Sequence, residues 1–421
     1  MFAKEIHSAY KQGVSRIFDF RYIGRNQIQM KIIFVDNEFK MGGVASNLLN
    51  MLNYIVKSED QVEFHVLYQK VPFFQNVPER VKIVRAKSNY NKLIAIPFVE
   101  LLKNWKKIGI RTIVKRFIIS LGFHLNKNFV HLLYKDLYSD NPISSCDVCI
   151  VLKECRESIY YALSQIKTKT YICYFVQDRN YVPIFRDIYI NKIINHIVTV
   201  SEGNRQYLIN IEPSLSSKTH VLHNYVNPQA IINKASAFRP DYDHSITNIC
   251  TVGRICEEKG FDVILQAVEL LQQKKRLPSF RWYVIGPYVS PTVQSYCKKK
   301  LNEGNLKDHI VITGPMINPY PYIKDADLVV NPSIIESYGI IIREAQILGT
   351  PVLSSETDGG RELIEGGKTG FLVPAGNAVA LAIEIEHLLT HKELLYKTKS
   401  SLAAIDYDER MEIKEKLYDL F

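Results

Sequence analysis

With 421 residues and 47% hydrophobic side chains, the chain has enough apolar material for two or three domains with buried cores. Its seven cysteines are scattered, and although Cys146 and Cys149 form a C-x2-C pair inside a predicted strand, no second pair or histidine cluster matches it, which argues against zinc and disulfides and for reduced thiols in a cytosolic protein. The N-terminus is mixed polar and no apolar run approaches the roughly 20 residues of a spanning helix, so neither a signal peptide nor a membrane span is expected, while the net charge of +10 calls for an anionic partner or surface.

Residues 1–29 add nothing to the motifs and read as an N-terminal extension, with Met30 as an alternative start. The apolar run 30–36 then predicts a short strand, followed by Met41-Gly42-Gly43-Val44-Ala45 and an amphipathic helix through Leu52. A Gly-Gly turn between strand and helix permits close backbone approach to a phosphate or sugar, which makes Gly43 a candidate contact; a purely structural turn explains it equally well. It lacks the full G-x-G-x-x-G fingerprint, which argues against a nicotinamide enzyme.

Further strands are expected at 61–68, 81–85, 146–152, 170–176 and 196–200, alternating with helical segments as in a parallel, doubly wound α/β sheet. Within 103–135, Ile110, Ile113, Val114, Phe117, Ile118 and Leu121 share one helical face flanked by Lys107, Arg111 and Lys115. Such a segment fits an anionic bilayer, or a core-facing helix with snorkelling lysines. Nucleic acid is not expected, since no binding motif or regular basic and aromatic stripe occurs.

The strand 170–176 ends in Gln177-Asp178. Gln177 cannot act as a base but can hydrogen bond; Asp178 is a candidate partner for an acceptor hydroxyl; both also fit a polar strand end that caps a turn. His196 and His223 sit against apolar strand residues and read as hydrogen-bonded structural histidines. A first domain is expected over 30–227, a connection over 228–245, a second domain over 246–397 and a charged C-terminal helix over 398–421.

The second half carries the chemistry. Residues 248–271 read as strand, turn and amphipathic helix, with Arg254 at the strand end and Lys259-Gly260 just before the helix. A planar guanidinium and a mobile ammonium at one loop suit the neutralisation of a leaving diphosphate. Strands over 282–285 and 310–313 each end in Gly-Pro, where a ligand crevice outside the strand ends is expected. The stretch 331–345, NPSIIESYGIIIREA, ends a strand and opens a helix, with Glu336 and Glu344 in an E-x7-E arrangement around Gly339. Backbone N–H groups from Ser337 to Ile340, at the helix start, can hold a diphosphate without a lysine. Glu336 can accept from sugar hydroxyls and Glu344 can reach a ribose. Asp325-Ala-Asp327 looks like a D-x-D metal motif but lies between a helix end and a strand, and reads as structural. Finally 350–374 gives a strand, a loop with Gly359 and Gly360, a short helix and a turn.

Taken in order, GR(x)4KG, a strand ending in glycine, ESYG(x)4EA and TPV(x)6GG(x)ELI(x)4TGFLVP over 246–375 resemble the retaining glycosyltransferases of family 4. That resemblance implies the glycosyltransferase-B fold, two Rossmann-like domains facing a cleft with a C-terminal helix crossing back to the first. It also implies transfer of a sugar, with retention, from a nucleotide-sugar donor (UDP first) to a glycan or lipid-linked acceptor in surface polysaccharide biosynthesis, at the inner membrane face. By it, Arg254 and Lys259 bind the donor diphosphate, Glu344 the ribose and Glu336 the transferred sugar. Tyr338, Gly339 and Ile340 lie at the donor, and Met316 lies beside the nucleobase. No metal or other cofactor is required, because Arg254, Lys259 and the helix start supply the positive field. Members often carry a histidine near the reacting carbon where this chain has Gln177. Two alternatives are a nucleotide-sugar epimerase of the same fold and a non-catalytic sugar-binding subunit.

Overall fold

The computed structural model describes residues 29–421 apart from 38, 40–41, 68–75, 87–109, most of 110–140, 177–183, 186–187, 275 and 304–305. Fifteen strands are described: β1 Lys31–Asp36, β2 Gln61–Val66, β3 Val81–Arg85, β4 Ser144–Ser145, β5 Val148–Val151, β6 Ile166–Lys167, β7 Thr170–Phe175, β8 His196–Thr199, β9 Thr219–Val221, β10 Thr247–Val252, β11 Phe280–Ile285, β12 Ile310–Gly314, β13 Leu328–Asn331, β14 Val352–Ser355 and β15 Phe371–Val373. Seven build one parallel sheet in the order β3-β2-β1-β5-β7-β8-β9, and six build another in the order β12-β11-β10-β13-β14-β15. Both orders reverse once, at β1/β5 and at β10/β13, the mark of a doubly wound sheet.

Burial on both faces explains why these strands read as apolar runs rather than alternating ones. In the second sheet, Cys250, Tyr283, Val329 and Val352 pack with Ile342 and Ala345 of the helix Ile340–Ile347 on one face. On the opposite face Ile249, Trp282, Leu328 and Leu353 pack with the helices Phe261–Gln272 and Ala378–Thr390. Trp282, fully buried, donates its indole N–H to Thr251 Oγ1 at 3.0 Å, so its polar atom is satisfied inside the core.

The connection between the sheets is ordered and belongs to the second. Asn227 caps the helix Pro228–Ala235 by accepting from Ala230 N–H at 2.8 Å. Beyond it Tyr242 packs on Tyr283 (ring centroids 4.5 Å) and on Tyr322 (5.4 Å). The C-terminal stretch is not one helix over 398–421. A helix Lys392–Leu402 stops, and a second, Arg410–Tyr418, follows, because Asp406 and Asp408 accept from the backbone N–H groups of Asp408 and Arg410 and turn the chain. This last helix returns to the first domain: the Tyr418 hydroxyl bonds Asp60, accepts from Lys57 N–H at 2.9 Å, and Ile413, Leu417 and Leu420 join the core under Met51–Ile55.

Gly260 fixes the loop after β10. It sits in the left-handed region (φ 68°), and a Cβ there would lie 2.0 Å from the Pro332 carbonyl oxygen, so a side chain is excluded twice over. Gly260→Ala is therefore expected to destabilise the protein by about 2–5 kcal/mol in chemical denaturation, through conformational strain plus overpacking; a loss below about 0.5 kcal/mol would show that the two loops are free to separate.

Candidate functional site

At the β10/β13 reversal the loops leaving the two strands form a crevice lined by Gly253, Arg254, Lys259, Asn331, Pro332 and Ser333. This is where an open α/β sheet offers a ligand site, since the crossovers leave on opposite faces. The Gly253 N–H donates to Ile285 O and that of Ile255 to Pro287 O, both at 2.9 Å, which holds the Arg254 loop against the β11 end. Arg254 is exposed and pairs loosely with Glu258 at 3.4 Å, leaving its guanidinium available to an incoming anion.

Lys259 and Glu336, 77 positions apart, meet in an ion pair of 2.7 Å. Their side chains are 29% and 17% exposed, so the contact is partly shielded and worth more than an open surface pair. Ser333 Oγ donates to Asn331 Oδ1 at 2.9 Å and reaches Glu336 at 3.5 Å, fixing the carboxylate from its other side. Gly339 takes the left-handed conformation (φ 83°) and caps the helix Ile340–Ile347. Its Cβ-less face lies against Ile342, and the first backbone N–H groups of the helix point along its axis. Glu344, one turn in and half-buried, accepts from the Tyr320 hydroxyl at 2.9 Å. Burial pushes its carboxyl up to about 7, against the opposing pull of Tyr320 and of the Lys234 ammonium.

The two sheets meet around this helix start. A Cβ on Gly43 would lie 3.7 Å from Ile340 Cδ1, which places the Gly42-Gly43 turn opposite the start of the helix. Ser337 Oγ donates to Val176 O at 2.9 Å, and Val176 N–H donates to the buried Glu154 carboxylate at 2.8 Å. Thus the end of β7 abuts the loop carrying Glu336. Gln177 and Asp178, next along the chain, lie outside the described residues.

Of the residues singled out from sequence, Arg254 and Lys259 line the crevice, Glu336 joins it through Lys259, Gly339, Ile340 and Glu344 follow on the next helix, and Gly43 faces Ile340. Met316 follows the left-handed Gly314 (φ 82°) and packs half-buried at the edge of the core. The Tyr338 ring is drawn inward, 2% exposed and 5.5 Å from the His223 ring, so any ligand contact by this residue falls to its main chain. His196 pairs with His220 (3.1 Å) at the opposite end of β8 from the cleft. His223 bonds Glu362 Oε1 at 2.9 Å, while Glu362 Oε2 accepts from Glu202 N–H at 3.2 Å, a contact that crosses between the domains. Asp327 accepts from Asn248 N–H at 2.8 Å and is a strand-edge contact. Sequence reasoning missed Tyr320, Glu154 and Glu362; only the aromatic density of 320–322 hinted at the first.

A two-domain, doubly wound cleft with a basic loop and a glycine-capped helix at the switch point defines the glycosyltransferase-B architecture. Comparison with known proteins agrees. Residues 246–391 match the family described as glycosyl transferases group 1. Over 147 residues the chain is 32% identical to the amylovoran biosynthesis glycosyltransferase AmsK of Erwinia amylovora, covering 33% of this chain and 35% of that protein. Over 156 residues it is 31% identical to alpha-D-kanosaminyltransferase of Streptomyces kanamyceticus, covering 37% and 39%. The aligned part therefore spans little more than a third of these curated relatives. Among solved structures, Anabaena HepE in complex with UDP and glucose superposes with a TM-score of 0.66 at 15% identity, covering 93% of this chain and 99% of that one, a likeness of fold. Residues 246–391 thus resemble group 1 glycosyltransferases, and the fold of the chain is that of the glycosyltransferase-B structures.

Glu336 neutralises the Lys259 ammonium, so an anionic ligand that binds this cation competes with a carboxylate. Glu336→Gln should bind UDP about two- to fivefold more tightly than the parent in calorimetry, the scale of one partly exposed ion pair; weaker binding would mean that Glu336 holds Lys259 in place for the phosphate.

Proposed function

We propose that the protein is a glycosyltransferase that moves a sugar from a nucleotide-sugar donor to a glycan or lipid-linked acceptor in surface polysaccharide biosynthesis. The observation that carries this reading is the Lys259–Glu336 ion pair at the β10/β13 switch point, beside the glycine-capped helix that bears Glu344. Names of the relatives support the pathway class: amylovoran biosynthesis for one, colanic acid biosynthesis for another, from Salmonella typhimurium. UDP is the favoured nucleotide, supported by the UDP complexes among the structural neighbours.

In this reading Glu344 accepts from the ribose hydroxyls, and Arg254, Lys259 and the helix start hold the diphosphate. Charge builds on that diphosphate as the glycosidic bond breaks, and a fixed cationic surround stabilises it without reorganising. That field belongs to the side chains themselves, so the proposed transfer needs no metal. Glu336 then exchanges Lys259 for the hydroxyls of the transferred sugar. The reaction is retaining: the leaving phosphate oxygen takes the acceptor proton on the same face, and Gln177 and Asp178 would orient the acceptor by hydrogen bonding. In this reading the Gly43 turn, which faces Ile340, would help to shield the reacting centre from water and limit hydrolysis.

The acceptor side is read as peripheral to the cytoplasmic face of the membrane. Among the described residues no helix is long and apolar enough to cross a membrane. Of the apolar face expected over 110–121, Ile110, Val114, Phe117 and Ile118 are exposed, which supports docking on an anionic bilayer, while Ile113 is half-buried and Lys107, Lys115 and Leu121 lie outside the described residues.

Purified protein should show a higher melting temperature with one of UDP-, GDP- or ADP-sugars, and Lys259→Ala should lose that shift together with transfer while melting unaided within a few degrees of the parent. Full transfer by Lys259→Ala would remove the proposed site. Absence of a shift from every donor in the parent would favour the non-catalytic sugar-binding alternative.

A further inference from the structure

Behind Glu344 runs a contiguous set of contacts to the helix that joins the domains. The Tyr320 hydroxyl donates to Glu344 Oε1 (2.9 Å), Tyr320 N–H donates to Asn318 Oδ1 (3.3 Å), and Asn318 Nδ2 donates to the carbonyl of Lys234 (2.8 Å). Lys234, near the C-terminal end of Pro228–Ala235, closes the set by placing its ammonium 5.9 Å from the centre of the Tyr320 ring. We propose that Tyr320 is the positioning residue for Glu344 and that, with Asn318 and Lys234, it couples occupation of the ribose site to the connecting helix.

Three physical points support this. A half-buried carboxylate of free rotamer would have to be ordered by the ligand; one already held by a phenol presents its second oxygen in a fixed direction at no ordering cost on binding. The phenol donates to the ionised form, and so opposes the burial that favours the neutral acid. Finally, the 314–320 loop carries both Asn318 and Met316, so a shift of the connecting helix moves the base-side loop and the ribose carboxylate together.

Among the described residues, the groups that face Glu344 are few. Tyr320 comes from the helix Tyr320–Asp325 and Lys234 from the connecting helix. Arg343, its neighbour in sequence, turns instead to Glu409 at 3.0 Å and to the Tyr407 ring at 5.4 Å, and Glu362 on the adjacent helix Asp358–Leu363 is engaged by His223. The sign follows. In the free protein Glu344 has its pKa raised to about 7, so its neutral form favours the fold below its ordinary value near 4.5, and that contribution is lost as pH rises through about 7. Ribose hydroxyls donate to the carboxylate, so nucleotide affinity should climb with pH to about 7 and level off above it.

The inference rests on the donor-site reading above, and the test separates the two. UDP, GDP and ADP affinities are measured by calorimetry from about pH 5.5 to pH 9 for the parent, Tyr320→Phe, Lys234→Ala and Lys259→Ala. The phenylalanine keeps the ring packing, so folding is preserved and is checked by thermal melting. Loss of the hydroxyl should raise the midpoint of the affinity profile by about one pH unit, which weakens binding at pH 7 about fivefold. Lys234→Ala should move the midpoint the same way by less. A bound nucleotide lost in Lys259→Ala, with an unmoved midpoint in Tyr320→Phe, overturns the inference and leaves the donor site standing. No nucleotide binding by the parent overturns both.

Discussion

Between β11 and β13, strand β10 has neighbours whose crossover helices pack on opposite faces of the sheet, and the gap above its carboxyl end is therefore left uncovered. Everything proposed for the second domain depends on that gap. The loop after β10 brings two cations to it, the loop after β13 brings Glu336, and the next helix begins at its rim. Gly260 locks the first loop onto the second by direct approach to the Pro332 carbonyl.

Charge in the gap is balanced rather than free. Lys259 and Glu336 satisfy each other, so neither is left as a partly buried uncompensated charge, which would be costly. In the proposed reaction the same pair would become two separate ligand contacts, one to the diphosphate and one to the sugar. The first domain comes close to the helix start through Gly43 at Ile340 and the end of β7 at Ser337, where Glu154 holds the Val176 N–H.

Much of the second domain was legible in sequence because its constraints are local. Leu328–Val330 are buried and read as an apolar strand, and Glu336, Gly339 and Glu344 fall within one short turn and the helix that follows it. Contacts set by topology were not legible. Tyr320 reaches Glu344 only because β13 runs between them and folds the two helices together, and His223 reaches Glu362 across 139 positions. Tyr338 shows the opposite limit: its place beside Gly339 suggested a ligand contact, but the ring follows the apolar face of the turn into the core. The stretch 398–421 read as one charged helix because its composition suits a helix, whereas side-chain bonds from Asp406 and Asp408 divert the backbone.

The most direct test of the central claim is amide hydrogen exchange with and without saturating UDP. If the β10/β13 crevice holds the donor, exchange should slow in 253–260 and 336–346 and in the loop 314–320, with little change at the carboxyl ends of β1 and β5. Slowing confined to the first sheet, around Asp36 and Lys153, or no slowing with UDP bound, would contradict the account.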